Sequence, residues 1–183
     1  MKIYIGCPIV GLPDDEWVVL INHIEKLKVA LTERGHTILN FRSDTNRRAK
    51  KGTVFRWDRQ QCLDCDAMIA IGIKPSTGMG MEVCMCLLRT HRDNRPNPAF
   101  VLGTAPRGTK VTWMLTECNL PGFTFRWFEN WDNIPDIFER AYTKHLKQKQ
   151  QQRFLRQTIR ATNSRPKDVT LNWAEEVSTT SRP

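Results

Sequence analysis

Residues 67–73, AMIAIGI, are apolar without a break. A strand with one wet face alternates apolar and polar residues, whereas an unbroken run of this length is a strand buried on both faces, as in parallel sheets. Helices must then cover both sides of the sheet. The other strand-like runs are KIYIGCPI, HTILNF, AFVLG and FTFRWF. Helical patterns separate them. DDEWVVLINHIEKLKVALTERG repeats apolar residues three and four apart, at Val18, Ile21, Ile24, Leu27 and Leu31, with Asp14 or Asp15 as its cap and Gly35 as its stop. VFRWDRQQCLDC turns Val54, Cys62 and Cys65 inward. GMEVCMCLLRTH, KVTWMLTEC and IPDIFERAYTKHLKQKQQQ follow, the last running on toward Arg160. This alternation predicts an α/β three-layer sandwich, with a five-stranded parallel flavodoxin/Rossmann-like sheet joined by right-handed crossovers.

The length of 183 residues suits one domain of ordinary size, and 40% hydrophobic residues suffice for a core. No run approaches the ~20 apolar residues that span a bilayer. The opening MKIYIGCPIVGLPDDEW lacks the apolar stretch and cleavage site of a signal peptide, so a cytoplasmic protein without membrane contact is expected. Six cysteines, at 7, 62, 65, 84, 86 and 118, lie in apolar segments and read as reduced core thiols. Cys62-x-x-Cys65 and Cys84-x-Cys86 match no standard zinc spacing and have no adjacent histidine ligand, so neither a metal nor a cofactor is expected. Of the net charge of +9, residues 144–183 carry +6, from nine Lys/Arg against three Asp/Glu. The expected division is a catalytic domain at 1–143 and a basic C-terminal helical extension at 144–183. That extension reads as a solvated helix face with a loose end, or as a weak contact for phosphate backbones.

In such sheets ligands bind outside the carboxyl ends of the strands, where the winding reverses. For a flavodoxin-like order that is between strands 1 and 3, at the loops GCPIVG and KPSTGMGME. The second loop places Ser76, Gly78 and Gly80 around a helix N-terminus, whose unpaired N–H groups and dipole favour an anion. Glu82 falls in the first turn of that helix, where the dipole favours the ionised carboxylate. It reads either as a helix-capping glutamate or as the ionised nucleophile of a glycosyl transfer. Asp58 is an exposed helical aspartate or a group aimed at the crevice. Tyr4 is a core tyrosine or part of the same crevice. Asp66 fixes the helix–strand junction through backbone hydrogen bonds.

Taken together these residues resemble the nucleoside 2-deoxyribosyltransferase family, including its branch of 2′-deoxynucleoside 5′-monophosphate N-glycosidases. The matching pieces are IYIG with Tyr4 and WDRQQCLDCDAMIA with Asp58 and Asp66 eight apart. In PSTGMGME, Ser76, Gly78, Gly80 and Glu82 stand 10, 12, 14 and 16 residues after Asp66. A weaker match is GTKVTWML with Thr112, and the whole resemblance covers about residues 1–143. It implies that Glu82 attacks C1′ of the sugar, that Asp58 hydrogen-bonds the leaving base or delivers its proton, and that Tyr4 orients Glu82. It assigns substrate contacts to Gly6, Ser76, Gly78 and Gly80, while Trp57, Met79 and Met81 read either as lining of the base pocket or as ordinary core packing. It places Thr112 where a residue reaches a neighbouring subunit's site, and so implies a homodimer or higher homo-oligomer.

Family members acting on nucleosides carry an acid where this chain has Ser76. A serine there accepts a phosphate that an acid would repel, which favours a nucleoside 5′-monophosphate over a nucleoside. The arginine that grips phosphate in the hydrolase branch is Val10 here, which leaves Arg42, Arg56 or Arg107 as substitutes. The expected activity is hydrolysis of the N-glycosidic bond of (deoxy)nucleoside 5′-monophosphates. The alternatives are base exchange between nucleosides, and a non-catalytic nucleotide- or nucleic-acid-binding protein.

Overall fold

The computed structural model of the chain describes residues 1–9, 11–39, 53–89 and 98–163, with side chains to residue 159. Five parallel strands, β1 (Lys2–Gly6), β2 (Thr37–Ile38), β3 (Ala67–Ile71), β4 (Phe100–Pro106) and β5 (Phe123–Phe128), pair in the order β2-β1-β3-β4-β5. The connecting helices are α1 (Asp14–Glu33), α2 (Thr53–Asp64), α3 (Thr77–Leu88), α4 (Trp113–Thr116) and α5 (Ile134–Asn163). The winding reverses between β1 and β3, the place expected for a flavodoxin-like order.

Period-two alternation along the buried strands sorts their side chains into two layers. Ile3, Ile5, Ile69, Ile71 and Leu102 pack with Leu27 and Leu31 of α1 and with Ile134 and Phe138 of α5. Tyr4, Met68, Ala70 and Val101 face the other way, onto Cys62 of α2 and onto Met79, Val83 and Cys86 of α3. The three-layer sandwich is therefore built as AMIAIGI requires, with apolar residues sent to both sides of one strand.

Local details depart from the sequence reading. Pro13, not Asp14 or Asp15, stands at the N-cap of α1, and its carbonyl accepts from the Trp17 N–H at 2.9 Å. The two aspartates and Glu16 instead occupy the first turn, where the helix dipole favours negative charge. The buried stripe runs through Leu20, Ile24, Leu27 and Leu31, while Val18 is half exposed. Val18 lies about 200° around the helix from Leu20, so the two cannot share the inner face. Gly35 ends the helix at φ +82°, a left-handed conformation that suits glycine. β2 is shorter than HTILNF, although the Leu39 N–H still donates to Ile3 O at 2.8 Å, and Asn40 and Phe41 lie outside the described residues. KVTWMLTEC forms a single turn, α4, and α5 extends past Arg160 to Asn163.

At the N-terminal edge of the sheet the Lys2 N–H donates to Asp66 Oδ2 at 2.7 Å, and the Asp66 N–H donates to Lys2 O at 2.8 Å. Asp66 O accepts from the Phe100 N–H at 3.2 Å, so one residue joins the starts of β1, β3 and β4. Gly103 in β4 makes room for two rings of β5. A Cβ there would stand 2.7 Å from Phe123 Cζ and 3.1 Å from Phe125 Cδ2. Gly103→Ala is expected to cost about 1–3 kcal/mol of stability by overpacking. Urea unfolding checks this, and an unmoved midpoint would show that the rings yield freely.

The chain divides into two compact units, Met1–Leu146 and the segment from Lys147 onward. In the first, Arg34 pairs with Asp136 at 2.7 Å and His36 Nε2 with Glu139 Oε1 at 2.6 Å, fastening the turn after α1 to α5. In the second, Lys149, Arg153 and Arg156 recur at spacings of four and three, which aligns them along one helix face. Phe154, Leu155 and Ile159 are exposed.

Candidate active site

α3 begins at Thr77, three residues earlier than GMEVCMCLLRTH predicts. Ser76 is its N-cap, and Ser76 Oγ accepts from the Met79 N–H at 3.3 Å. The hydroxyl thereby satisfies one of the unpaired donors of the first turn. Glu82 consequently sits in the second turn, where the helix dipole has largely faded. Burial then decides its charge. The Glu82 carboxyl is pushed up to about 8, first by burial and then by the charge of Asp58, with a hydrogen bond from Tyr4 pulling the other way. Glu82 is therefore not in the first turn as the sequence suggests, and burial with the Asp58 charge favours its protonated form.

Its position is set by the sheet. Gly6 ends β1 opposite Ala70 of β3. A Cβ on Gly6 would stand 2.8 Å from Glu82 Oε2 and 2.5 Å from Met68 Cε. The Glu82 carboxylate therefore rests against bare backbone at the β1/β3 switch point. Tyr4, buried two residues earlier on the same face of β1, holds it by the hydrogen bond. The Tyr4 phenol is itself pushed well up, by burial first and then by the charges of Glu82 and Asp58. Asp58, half-buried on α2, is also raised by burial.

A buried cysteine follows each of the two acids by one helical turn. Asp58 and Cys62 are four apart on α2, and Glu82 and Cys86 are four apart on α3, so each acid shares a face with a buried cysteine. Cys65 Sγ lies 3.8 Å from Cys86 Sγ, and Cys86 Sγ lies 3.8 Å from Cys62 O. Arg89 Nη1 donates to Cys62 O at 3.1 Å and to Leu63 O at 3.0 Å, closing the end of α2. The Cys65 thiol is held below its usual range, chiefly by hydrogen bonding with Cys86. These contacts join the C-terminal end of α2 to α3. Among the described residues no cluster of three or more His, Cys, Asp or Glu is placed to hold a metal ion.

The remaining residues singled out in the sequence spread around this centre. Gly78 is exposed beside Ser76, and a Cβ on it would stand 3.8 Å from Ser76 Oγ, while a Cβ on Gly80 would meet nothing within 4 Å. Trp57 is half-buried next to Asp58, Met79 is part of the core layer, and Met81 is half exposed. Thr112 is exposed at the start of α4, beside Trp113 and Met114. Arg56 is exposed on α2, and Arg107 pairs with Glu129 at 3.2 Å. Val10 and Arg42 lie outside the described residues. The sequence reading passed over Lys74, whose ammonium reaches the first loop and stands 3.7 Å from where a Gly11 Cβ would be. The signal was a single cation between the AMIAIGI strand and PSTG.

Gly6→Ala tests the contact directly. Both clashing atoms are ends of flexible side chains, so the fold is expected to survive and Glu82 to be displaced. A misplacement of about 1 Å lowers turnover by about 10²-fold. Activity together with the melting temperature reads this out. A variant with full turnover would show that the carboxylate position is not set by Gly6.

The class defined by these observations is a doubly wound parallel α/β fold with two partly buried carboxyl groups, Glu82 and Asp58, near its switch point. Among solved structures the chain is similar to the CMP N-glycosidase BcmB of Clostridium botulinum, at 12% identity and a TM-score of 0.52, over 77% of this chain and 99% of that one. The likeness is one of fold. No protein-family model matches the chain, and no curated protein matches it.

Proposed function

We propose that the chain hydrolyses the N-glycosidic bond of (deoxy)nucleoside 5′-monophosphates, giving free base and (deoxy)ribose 5-phosphate. The observation that carries this reading is the Glu82 carboxylate, laid against Gly6 at the switch point, hydrogen-bonded by Tyr4 and facing the charge of Asp58. Two carboxyl groups, one raised well above its ordinary range, are the equipment of glycoside cleavage. Ionised Glu82 attacks C1′ from the face opposite the base and forms a glycosyl ester, as in retaining glycosidases. The bonding pair of the C1′–N bond leaves with the base, and Asp58 supplies the hydrogen bond or proton that the base needs. Water then attacks C1′, releases the sugar phosphate and restores Glu82. Tyr4, by hydrogen-bonding the carboxylate, favours the ionised form that attacks.

The fold likeness to a CMP N-glycosidase and the Ser76 cap support a nucleotide substrate. Trp113 and Met114, 78% and 87% exposed beside Thr112, support a homo-oligomer that covers them. The Lys149–Arg153–Arg156 stripe supports weak contact with phosphate backbones, and filter binding that falls steeply with salt distinguishes this from a solvated face.

Reverse-phase chromatography of CMP, dCMP and dGMP and of the matching nucleosides, with and without a free acceptor base, tests the reaction. Free base without new nucleotide supports hydrolysis. A new nucleotide or nucleoside carrying the acceptor base would instead mark the chain as a transferase.

A further inference from the structure

We infer that Cys65 and Cys86 are a peroxide-sensitive thiol pair, whose disulfide joins α2 to α3 and reversibly lowers turnover. The effect on turnover rests on the reaction proposed above. The two sulfurs are in contact at 3.8 Å although 21 positions apart in the chain. Cys65 is the first residue after α2, and Cys86 lies in the third turn of α3. One carbonyl gathers both: Cys62 O lies 3.5 Å from Cys65 Sγ and 3.8 Å from Cys86 Sγ. A disulfide of about 2.05 Å draws the sulfurs about 2 Å closer. At 1% and 0% exposure the pair is closed to a bulky disulfide such as oxidised glutathione, so the oxidant is a small peroxide.

The surroundings make the two thiols unequal. Arg89 Nη1 donates to the same Cys62 O at 3.1 Å, which brings a cation to the pair. Hydrogen bonding with Cys86 and then the Arg89 charge hold the Cys65 thiol low, against burial and the Asp66 charge. Cys86 is pushed up, by hydrogen bonding with Cys62 and Cys65 and by burial. Cys65 is therefore the attacking sulfur and Cys86 the partner that keeps its proton. The Cys65 thiolate takes one peroxide oxygen, the O–O bond breaks, and hydroxide leaves with a sulfenic acid behind it. The Cys86 sulfur then attacks Cys65, the S–O bond breaks, and water leaves with the Cys86 proton. The hydroxide takes up the proton that Cys65 had released. Two thiols thus lose two hydrogens, and one peroxide becomes two waters. Cys86 follows Glu82 by four residues on α3, so the link closes one turn from the carboxyl. Glu82 has little room to shift, since a Cβ on Gly6 would stand 2.8 Å from its Oε2. A misplacement of about 1 Å lowers turnover by about 10²-fold.

The test treats the full chain with hydrogen peroxide, removes the excess with catalase, then denatures and alkylates the chain with iodoacetamide. Peptides are mapped by mass spectrometry with and without dithiothreitol. The reduced chain takes up six labels, and the oxidised chain is expected to take up four, with the Cys65 and Cys86 peptides joined. Turnover of CMP is expected to fall by about 10²-fold on oxidation and to return with dithiothreitol. Cys65→Ala and Cys86→Ala are each expected to keep their turnover through the same treatment. Six labels after peroxide, or a link through the exposed Cys84 instead, would overturn the pair. A joined pair with undiminished turnover would overturn its control of the site. If the reduced wild-type chain releases no base, the proposed reaction fails. Joined Cys65 and Cys86 peptides then still support the thiol pair, and separate ones reject it.

Discussion

Glu82→Gln is expected to lower turnover of nucleoside 5′-monophosphates by about 10³-fold or more, the scale of losing a group that acts in the transition state. The amide keeps the shape of the side chain but offers C1′ no anionic nucleophile. The same substitution is expected to stabilise the fold, and the sign follows from the raised carboxyl. In the unfolded chain Glu82 releases its proton near 4.5, and in the folded chain near about 8. Between those values the folded state holds one more proton than the unfolded state, so wild-type stability falls as pH rises. The contribution is fully present below 4.5 and is lost as pH passes through about 8. Glutamine carries no such penalty. The melting-temperature advantage of Glu82→Gln over wild type should therefore grow through that window and level off above it. Lost activity with gained stability marks a functional acid held in an unfavourable place. A variant that lost both would point to a structural glutamate.

Asp58→Asn is expected to move the pH profile as well as its height. The negative charge of Asp58 is the second cause of the raised Glu82 carboxyl, after burial. Removing it lets Glu82 ionise at lower pH. The profile of kcat/KM, which reports the free enzyme, should rise through a limb near 8 in wild type and through a more acid limb in the variant. The plateau should fall by about 10²–10⁴-fold, because the leaving base loses its acid. Kinetics across pH 5 to 10 on one nucleotide read both effects in one experiment. A limb that stays in place would separate Asp58 from Glu82, and an undiminished plateau would remove Asp58 from the chemistry.

The layers of the fold were legible because they rest on patterns that tertiary structure leaves intact. AMIAIGI can be satisfied only by burial on both faces, and the strand–helix alternation then allows little besides a parallel sheet. The start of α1 was misread because Asp14 and Asp15 suit both a cap and a first turn, whereas Pro13 fixes the geometry. Val18 joined the helical stripe on spacing alone, although Leu20 matches Ile24, Leu27 and Leu31 better. The grouping of Tyr4 and Asp58 with Glu82 came from the resemblance to a known family, since each residue alone also suited a cap, a core tyrosine or an exposed aspartate. The protonation of Glu82 was not legible, because the start of α3 moved from Gly80 to Thr77 and left burial, a property of the packed molecule, to determine it. Lys74 was illegible for a similar reason. A lysine beside a proline reads as a solvated loop cation until the fold brings it to Gly11.

The most direct test of the account is a proton NMR time course of CMP and dCMP with the wild-type chain and with Glu82→Gln, in buffer and in buffer containing methanol. The account predicts free cytosine and (deoxy)ribose 5-phosphate in equal amounts from wild type. With methanol it predicts a methyl glycoside of retained configuration at C1′, and almost no reaction from the variant. Nucleotide left intact by wild type, or base release at an equal rate from Glu82→Gln, would contradict it.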